Sequence, residues 1–188
     1  AILTEAKTSE LPVAPVLCKF ALQPSAPSLE DQRSDAERVL SAYAQKARMQ
    51  LHAFNGNFPA LSPEILRQLP SLLREKEHQV TAVSLMDQIT GLETGNTSKT
   101  LYGVAVDIGT TTLAAYLYDL NSGDRLAVAS MLNPQKKYGA DVISRIDYAA
   151  QSDAHAEEMA DLIRMALNTL LLRLTQSYNL DKLDVYLV

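Results

Sequence analysis

The sequence predicts two consecutive domains, a small α+β domain and then the beginning of an α/β domain. Residues 16–95 arrange a strand, two helices and a hairpin, which is typical of a small α+β fold. Residues 96–188 open with three apolar strands in quick succession, followed by two helices and a last strand. With 188 residues, of which 47% are hydrophobic and 21% are charged, the chain has room for two small buried cores.

The first domain follows a segment with little periodicity. Residues 1–15 end in a proline-rich stretch, which predicts an extended linker. An apolar run over residues 16–22 predicts a strand. Ser34 or Asp35 is the expected cap of a helix that runs to about Met49, because a short polar side chain can accept a hydrogen bond from the first helical turn.

A second helix and a hairpin complete this domain. Ser62 followed by Pro63 is a usual order at the start of a helix. Pro70 lies inside the same apolar pattern and should kink or divide the helix, because proline lacks the N–H that a helix interior needs. Residues 79–93 alternate apolar and polar side chains around a turn expected at Asp87-Gln88, so they predict two paired strands.

The second domain starts after a polar stretch, residues 91–99, and we place the boundary between residues 95 and 96. Helices are predicted over residues 139–150 and 156–178 from their apolar spacing. A last strand is expected over residues 183–188, and because no turn follows it we expect the native polypeptide to continue. The three strands that open the domain are predicted over residues 101–108, 112–120 and 125–132.

Charge and hydropathy argue against two classes of partner. The net charge of −5 and the absence of a basic stripe exclude nucleic acid as an expected ligand. No segment approaches the ~20 apolar residues of a membrane helix, and the first residues lack a signal-peptide pattern, so we expect a cytoplasmic protein without a membrane partner. Small anionic ligands are compatible with this charge, because a few backbone amides suffice to hold a phosphate.

Cysteine and histidine usage excludes several metal sites. The one cysteine, Cys18, cannot form an internal disulfide, a zinc site or a cysteine-ligated iron–sulfur cluster. Its position in an apolar strand is typical of a small core side chain. His52, His78 and His155 are scattered without metal-ligand spacing, so we interpret them as surface or structural residues.

One segment carries recognisable chemistry: an apolar strand ends in an acid and turns through a glycine and three threonines into another strand. Gly109 lets the backbone approach a ligand without a Cβ in the way. Thr110, Thr111 and Thr112 add hydroxyl donors to the backbone amides of the turn, and together these can surround phosphate oxygens. Asp107, at the end of the strand, is placed to hold Mg²⁺ through water.

Two common phosphate-binding motifs are excluded. A P-loop and a Rossmann turn both lead into a helix, whereas this turn leads into a strand. The residues alone also allow a plain threonine-rich hairpin turn, in which the β-branched side chains support strand geometry. Both interpretations stay open on the local sequence.

The run over residues 102–120 resembles the first phosphate motif of the superfamily of acetate and sugar kinases, heat-shock ATPases and actin. More narrowly, LNPQ at residues 132–135 and YGADVISRI at residues 138–146 resemble the reductive activators of corrinoid proteins. PSLEDQRSDAER at residues 27–38 is similar to the middle domain of that family. The resemblance covers nearly the full chain and implies an α+β middle domain followed by a truncated, actin-like (ribonuclease H-like) ATPase lobe.

That resemblance implies a modular, homodimeric protein that uses ATP to reduce cobalt(II) to cobalt(I) on a partner corrinoid protein, with a [2Fe-2S] cluster on a preceding ferredoxin domain. It implies that Asp107, Gly109 and the residues 110–112 bind the ATP phosphates and Mg²⁺. Asn133 and Asp141 are further candidates near the same cleft. Their alternative roles are a strand-end residue and a first-turn acid that complements the helix dipole, respectively. No catalytic residue is identified.

Two parts of the family pattern are absent from this sequence: the cluster-ligating cysteines, and the second phosphate and adenosine motifs. We therefore expect this fragment alone neither to hydrolyse ATP nor to transfer electrons. A phosphotransferase of the same superfamily or a non-catalytic docking module would fit the same turn. The segment 27–38 favours the activator, because sugar kinases begin directly with the phosphate-binding strand.

Overall fold

The structure is a computed structural model that describes residues 16–50, 60–86, 88–180 and 185–187. These residues form two compact units, one on each side of the peptide bond between Thr100 and Leu101. The linker predicted over residues 1–15 and Asp87 of the predicted hairpin turn lie outside the described residues.

The first unit is a three-stranded antiparallel sheet with two helices. Its elements in chain order are β1 (Leu17–Leu22), α1 (Asp35–Gln50), α2 (Pro63–Glu75), β2 (Val80–Leu85) and β3 (Gln88–Thr94). Strand β2 lies between β1 and β3 and pairs antiparallel with both. The predicted order of strand, helix, helix and hairpin is therefore confirmed.

Both helices of this unit begin at serine caps that the sequence predicted. The N–H of Glu37 donates to Ser34 Oγ at 3.3 Å, and the N–H of Ser34 donates to Glu37 Oε2 at 2.7 Å, so the pair forms a capping box. The backbone N–H of Ser34 holds the pKa of the Glu37 carboxyl below its usual range. At α2, the N–H of Ile65 donates to Ser62 Oγ at 3.3 Å. These caps satisfy backbone donors that a helix cannot satisfy internally.

Pro70 does not divide α2, which runs through it without interruption. Of the predicted kink or division, the division does not occur, because packing on both sides of the proline holds the helix together. Leu69 and Leu73 are each 2% exposed and belong to the core of this unit. The carbonyl that loses its N–H partner belongs to Leu66, on the exposed side of the helix where water can take the partner's place.

The core of the first unit lies between the sheet and the two helices. At its centre, the hydroxyl of the fully buried Tyr43 lies 2.7 Å from Ser84 Oγ, and its ring meets Phe20 edge to face with the centroids 5.5 Å apart. The pairing satisfies a buried polar group and fixes α1 against the sheet. The other buried members are Leu22, Val39, Ala47, Ile65, Leu69, Leu73, Val80, Ala82 and Ile89.

The second unit is a four-stranded mixed sheet in the order β6-β5-β4-β7. Strands β4, β5 and β6 are antiparallel neighbours, and β7 pairs parallel with β4. This arrangement confirms the predicted three strands, two helices and final strand. The elements are β4 (Tyr102–Ile108), β5 (Thr112–Asp119), β6 (Arg125–Leu132), α3 (Val142–Ala149), α4 (Asp153–Ser177) and β7 (Val185–Leu187).

Helix α4 covers one face of this sheet, which we call the helix face. Ala166, Leu170 and Leu174 of α4 pack there in one cluster with side chains that include Val104 and Leu113. Because successive side chains of a strand point to opposite faces, their neighbours lie on the other face. We call that face the open face; its exposed residues include Ala105, Asp107, Val128 and Leu132. No helix in the described part of the chain has the length and apolarity needed to cross a membrane.

We expect truncation of Leu69 to be costly and truncation of Leu66 to be mild. Leu69→Ala opens a cavity in the core and should lower the free energy of unfolding by about 2–5 kcal/mol. Leu66 lies one turn away on α2 and is 45% exposed, so Leu66→Ala should lower it by less than about 1 kcal/mol. Urea denaturation of the two variants measures both values. Equal losses would contradict the packing of α2 described above.

Candidate functional site

The turn between β4 and β5 is narrow, and its geometry requires glycine. Ile108 pairs with Leu113 at the ends of the two strands, and the N–H of Gly109 donates to the carbonyl of Thr112 at 3.0 Å. A Cβ on Gly109 would lie 2.8 Å from that carbonyl oxygen, closer than real Cβ contacts. The glycine therefore permits a close approach of two backbone segments, and the two threonines between them form the tip.

Asn133, which follows β6, clamps this turn. It is 2% exposed. Its backbone N–H donates to the carbonyl of Thr111 at 2.9 Å, its Nδ2 donates to the carbonyl of Gly109 at 2.9 Å, and its Oδ1 accepts the N–H of Gln135 at 2.9 Å. The backbone N–H groups of Thr110 and Thr111 have no hydrogen-bond acceptor among the residues that the structure describes. The clamp thus holds the carbonyls of the tip and leaves its amides unused.

A cleft of about 340 Å³ lies beside the turn on the helix face. Its polar groups come from Gly109, Thr110, Asn133, Gln135 and Arg145. Apolar side chains of Ile108, α3 and α4 form the rest of its wall. The cleft is therefore apolar on one side and rich in hydrogen-bond donors on the other, a usual composition for a small-molecule site.

Arg145 is the one charged side chain that lines this cleft. The residue is 6% exposed, and its Nε donates to the carbonyl of Gly139 at 3.0 Å. Its Nη2 is buried and has no hydrogen-bond partner among the residues that the structure describes. Arg145 is not among the site residues predicted from the sequence. A signal was present, because Arg145 is the one basic residue in α3.

Two tyrosines and one glutamate tie the walls of the cleft together. The hydroxyls of Tyr138 and Tyr148 both donate to the carboxylate of Glu158, the second at 2.8 Å, and the two rings stack with centroids 4.2 Å apart. Tyr138 and then Tyr148 lower the pKa of the Glu158 carboxyl below its usual value. Since these residues belong to the 3₁₀ turn after Asn133, to α3 and to α4, the cluster fixes those three elements relative to one another.

The predicted site residues fall on both sides of the turn. Gly109, Thr110 and Asn133 line the cleft. Asp107 is exposed and does not line it; because the neighbouring Ile108 does, strand alternation places Asp107 on the open face. Thr111 is in the tip, and Thr112 is the first residue of β5. Neither residue lines the cleft.

Asp141 caps α3. Its Oδ1 accepts the N–H of Ser144 at 2.9 Å, and its Oδ2 accepts the Ser144 hydroxyl at 2.9 Å. These two bonds, the backbone one foremost, hold the pKa of the Asp141 carboxyl below its usual range. The helix consequently begins at Val142, three residues later than predicted, because the cap itself has an extended backbone. Asp141 does not line the cleft.

We expect Gly109 to be intolerant of even one methyl group. Gly109→Ala forces the added Cβ against the carbonyl of Thr112, and should lower the free energy of unfolding by about 1–3 kcal/mol. Gly91 in β3 is the matched control, because a Cβ there would meet Val83 at an ordinary 3.9 Å. Gly91→Ala should be neutral or stabilising. Thermal or urea unfolding measures the stability of both variants. An unchanged free energy of unfolding for Gly109→Ala would show that the turn can accommodate a Cβ.

Two protein-family models match this chain. The model described as the RACo linker region matches residues 6–99, which is half of the chain, and the model described as the RACo middle region matches residues 102–188. The gap between the two matches coincides with the division between the two structural units. The segment predicted as the middle domain matches the linker model, and the segment predicted as the first part of an ATPase lobe matches the middle-region model.

Two known proteins resemble the chain over different lengths. A curated protein named corrinoid activation enzyme RamQ, from Eubacterium limosum, is 41% identical over 88 residues, which are 47% of this chain and 15% of that protein. A solved structure named reductive activator for corrinoid, iron-sulfur protein superposes with a TM-score of 0.78 at 27% identity, over 95% of this chain and 28% of that one. The chain thus spans under a third of either relative. Because its two halves match the linker and middle-region models in order, the chain belongs to the RACo family.

Proposed function

We propose that this chain forms the first part of the nucleotide site in an ATP-dependent activator of corrinoid proteins. The observation that carries the proposal is the clamped turn, which presents two backbone amides that no described residue accepts from. Membership of the RACo family supports the corrinoid partner, since both similar proteins are named for corrinoid activation. The turn supplies what a phosphate group requires, namely short-range donors on a rigid backbone.

In this proposal the tip of the turn binds the phosphate oxygens of ATP. The N–H groups of Thr110 and Thr111 donate to them, and the threonine hydroxyls add further donors. Asn133 keeps the tip in shape by bonding two of its carbonyls. A site assembled before the ligand arrives needs little reorganisation on binding, which favours both affinity and orientation.

Asp107 is the residue that fits Mg²⁺. It is exposed, stands at the end of β4 next to the turn, and has no acidic, histidine or cysteine cluster around it in the described part of the chain. One carboxylate suffices for Mg²⁺ that arrives with a nucleotide, because the ion keeps several waters and takes other ligands from the phosphates. The arrangement fits a nucleotide-bound ion held through water, and not a metal ion enclosed by protein side chains.

The electron-transfer step is proposed for the native polypeptide and not for this chain. The reaction reduces cobalt(II) to cobalt(I) on the partner corrinoid protein, and ATP supplies the driving force. A [2Fe-2S] cluster supplies the electron; we assign it to a separate ferredoxin domain, because the single Cys18 cannot ligate it. We further propose that the native protein is a homodimer and works in the cytoplasm.

Cobalt reduction tests this function directly. The native polypeptide is mixed with a cobalt(II) corrinoid protein, Mg·ATP and a reductant, and the absorption of cobalt(I) is followed. Asp107→Asn should slow the ATP-dependent rate by about 10- to 100-fold, the usual loss when a residue that orients a metal through its outer shell is removed. Asp124→Asn, in the exposed turn between β5 and β6, is the control and should leave the rate unchanged. A rate of cobalt(I) formation that is the same with and without ATP would refute the proposal.

The 188-residue chain alone should neither hydrolyse ATP above background nor transfer electrons. It spans 28% of the solved activator, so most residues that could enclose a nucleotide in such a protein lie outside it. Phosphate release measured with and without Mg²⁺, beside the native polypeptide as the positive control, checks this expectation. Mg²⁺-dependent turnover by the purified chain would contradict it.

A further inference from the structure

The guanidinium of Arg145 is buried, and the described protein groups satisfy only some of its hydrogen-bond donors. Of its nitrogen atoms, Nε has a partner in the carbonyl of Gly139, while Nη2 is buried and no described residue accepts from it. Burying a charged donor with an unmade hydrogen bond is unfavourable, and most such groups in folded proteins have a partner. An arginine in this condition at the wall of a cleft indicates that a ligand provides the missing acceptor.

No carboxylate of the second unit takes that role in the described residues. Asp141, the cap of α3, feels the charge of Arg145, but the hydrogen bonds that both of its oxygens accept come from Ser144. The lining of the cleft contains no acidic side chain, and its two amides belong to Asn133 and Gln135. Those amides are engaged: Asn133 with the turn, and Gln135 Nε2 with the carbonyl of Met159 at 3.0 Å. The cleft therefore carries a guanidinium whose Nη2 donates to no acceptor among the described residues.

We propose that this cleft is an oxyanion site in which Arg145 holds a phosphoryl group against the turn at Gly109 and Thr110. A guanidinium presents several donors in a fixed plane and suits phosphate oxygens. Thr110 adds a backbone N–H that no described residue uses. The two donors belong to different elements, α3 and the β4–β5 turn, so a phosphoryl group would bridge them.

The size and walls of the cleft indicate that the phosphoryl group belongs to a larger molecule. A volume of about 340 Å³ lies in the range of clefts that hold whole small molecules. The apolar side chains of Ile108, at the end of β4, and of Met159, in α4, both line it. That the larger molecule is the nucleotide rests on the proposed function; that the cleft takes a phosphoryl group does not.

Arg145 and Asp107 have separate tasks in this arrangement. Asp107 lies on the open face and the cleft on the helix face, with the tip of the turn between them. A phosphate at the tip can be reached by Mg²⁺ from one side and by the guanidinium from the other. Arg145 is then a phosphate-binding residue, and its loss affects ligand affinity without removing the metal ligand.

Calorimetric titration of the protein with orthophosphate, and separately with Mg·ATP, tests the site. Arg145→Met removes the charge at similar length and should weaken both ligands by roughly 10- to 100-fold, the range for a hydrogen bond to a charged group. Arg145→Lys keeps the charge but loses the planar arrangement of donors, so its affinity for both ligands should lie between those of the wild type and Arg145→Met. Arg164→Met is the matched control, because Arg164 is an exposed arginine of α4 paired with Glu157 and Asp161. It should leave both affinities unchanged.

The two ligands distinguish the source of the phosphoryl group. If Arg145→Met weakens orthophosphate and Mg·ATP alike, the site holds a nucleotide phosphate; if it weakens orthophosphate alone, the site takes a phosphoryl group from another source and the proposed function is unaffected. If Arg145→Met binds both ligands as tightly as the wild type, or if the wild type binds neither, the inference is overturned.

A second measurement does not depend on the folding of a variant. With ¹⁵N-labelled arginine, the side-chain signals of Arg145 in the wild-type protein should shift on addition of orthophosphate, while those of Arg164 stay in place. Saturating orthophosphate without a shift at Arg145 would equally overturn the site. The cobalt reduction assay can succeed in that case, so failure here is separate from failure of the proposed function.

Discussion

The clamp made by Asn133 is the interaction on which the candidate site depends. One buried residue bonds the carbonyls of Gly109 and Thr111 and the N–H of Gln135, and so joins the β4–β5 turn to the segment that leads into α3. Because the Asn133 side chain is buried, leaving its amide without these partners would be costly. The clamp occupies carbonyls and leaves amides, which gives the tip the donor character that an anion needs.

The position of the turn at the edge of the sheet separates two kinds of chemistry. Strand alternation sends Asp107 to the open face and Ile108 to the helix face, although the two residues are adjacent. The acidic side is thereby kept from the cleft that holds Arg145, and neither charge neutralises the other. A carboxylate hydrogen-bonded to Nη2 of Arg145 would have satisfied that donor internally and removed the reason for a ligand to bind. The separation follows from the alternation of side chains along β4, and no other structural feature is needed to explain it.

The local parts of this picture were predictable, and the long-range parts were not. Ser34, Ser62 and the strands on both sides of Gly109 follow from caps and apolar spacing that act over a few residues. Asp141 followed by Ser144 also had a capping spacing, which the prediction of a helix from Gly139 overlooked. The contact between Asn133 and Gly109 joins residues 24 positions apart, and the burial of Arg145 depends on how α3 lies against α4. Neither the contact nor the burial produces a periodic pattern in the sequence, because both depend on how distant segments pack.

Net charge makes the recognition of an anion here a short-range matter. The chain carries −5 overall, so its long-range field does not attract phosphate, and screening at physiological ionic strength limits even that field to about 8 Å. In the proposed site, affinity must then come from donors within hydrogen-bond reach, which are the amides of the tip and the guanidinium of Arg145. Such contacts are directional and lie partly out of water, so they discriminate by geometry more than by charge. An acidic protein with one buried arginine in a donor-lined cleft is therefore suited to select a phosphoryl group of defined shape without collecting anions in general.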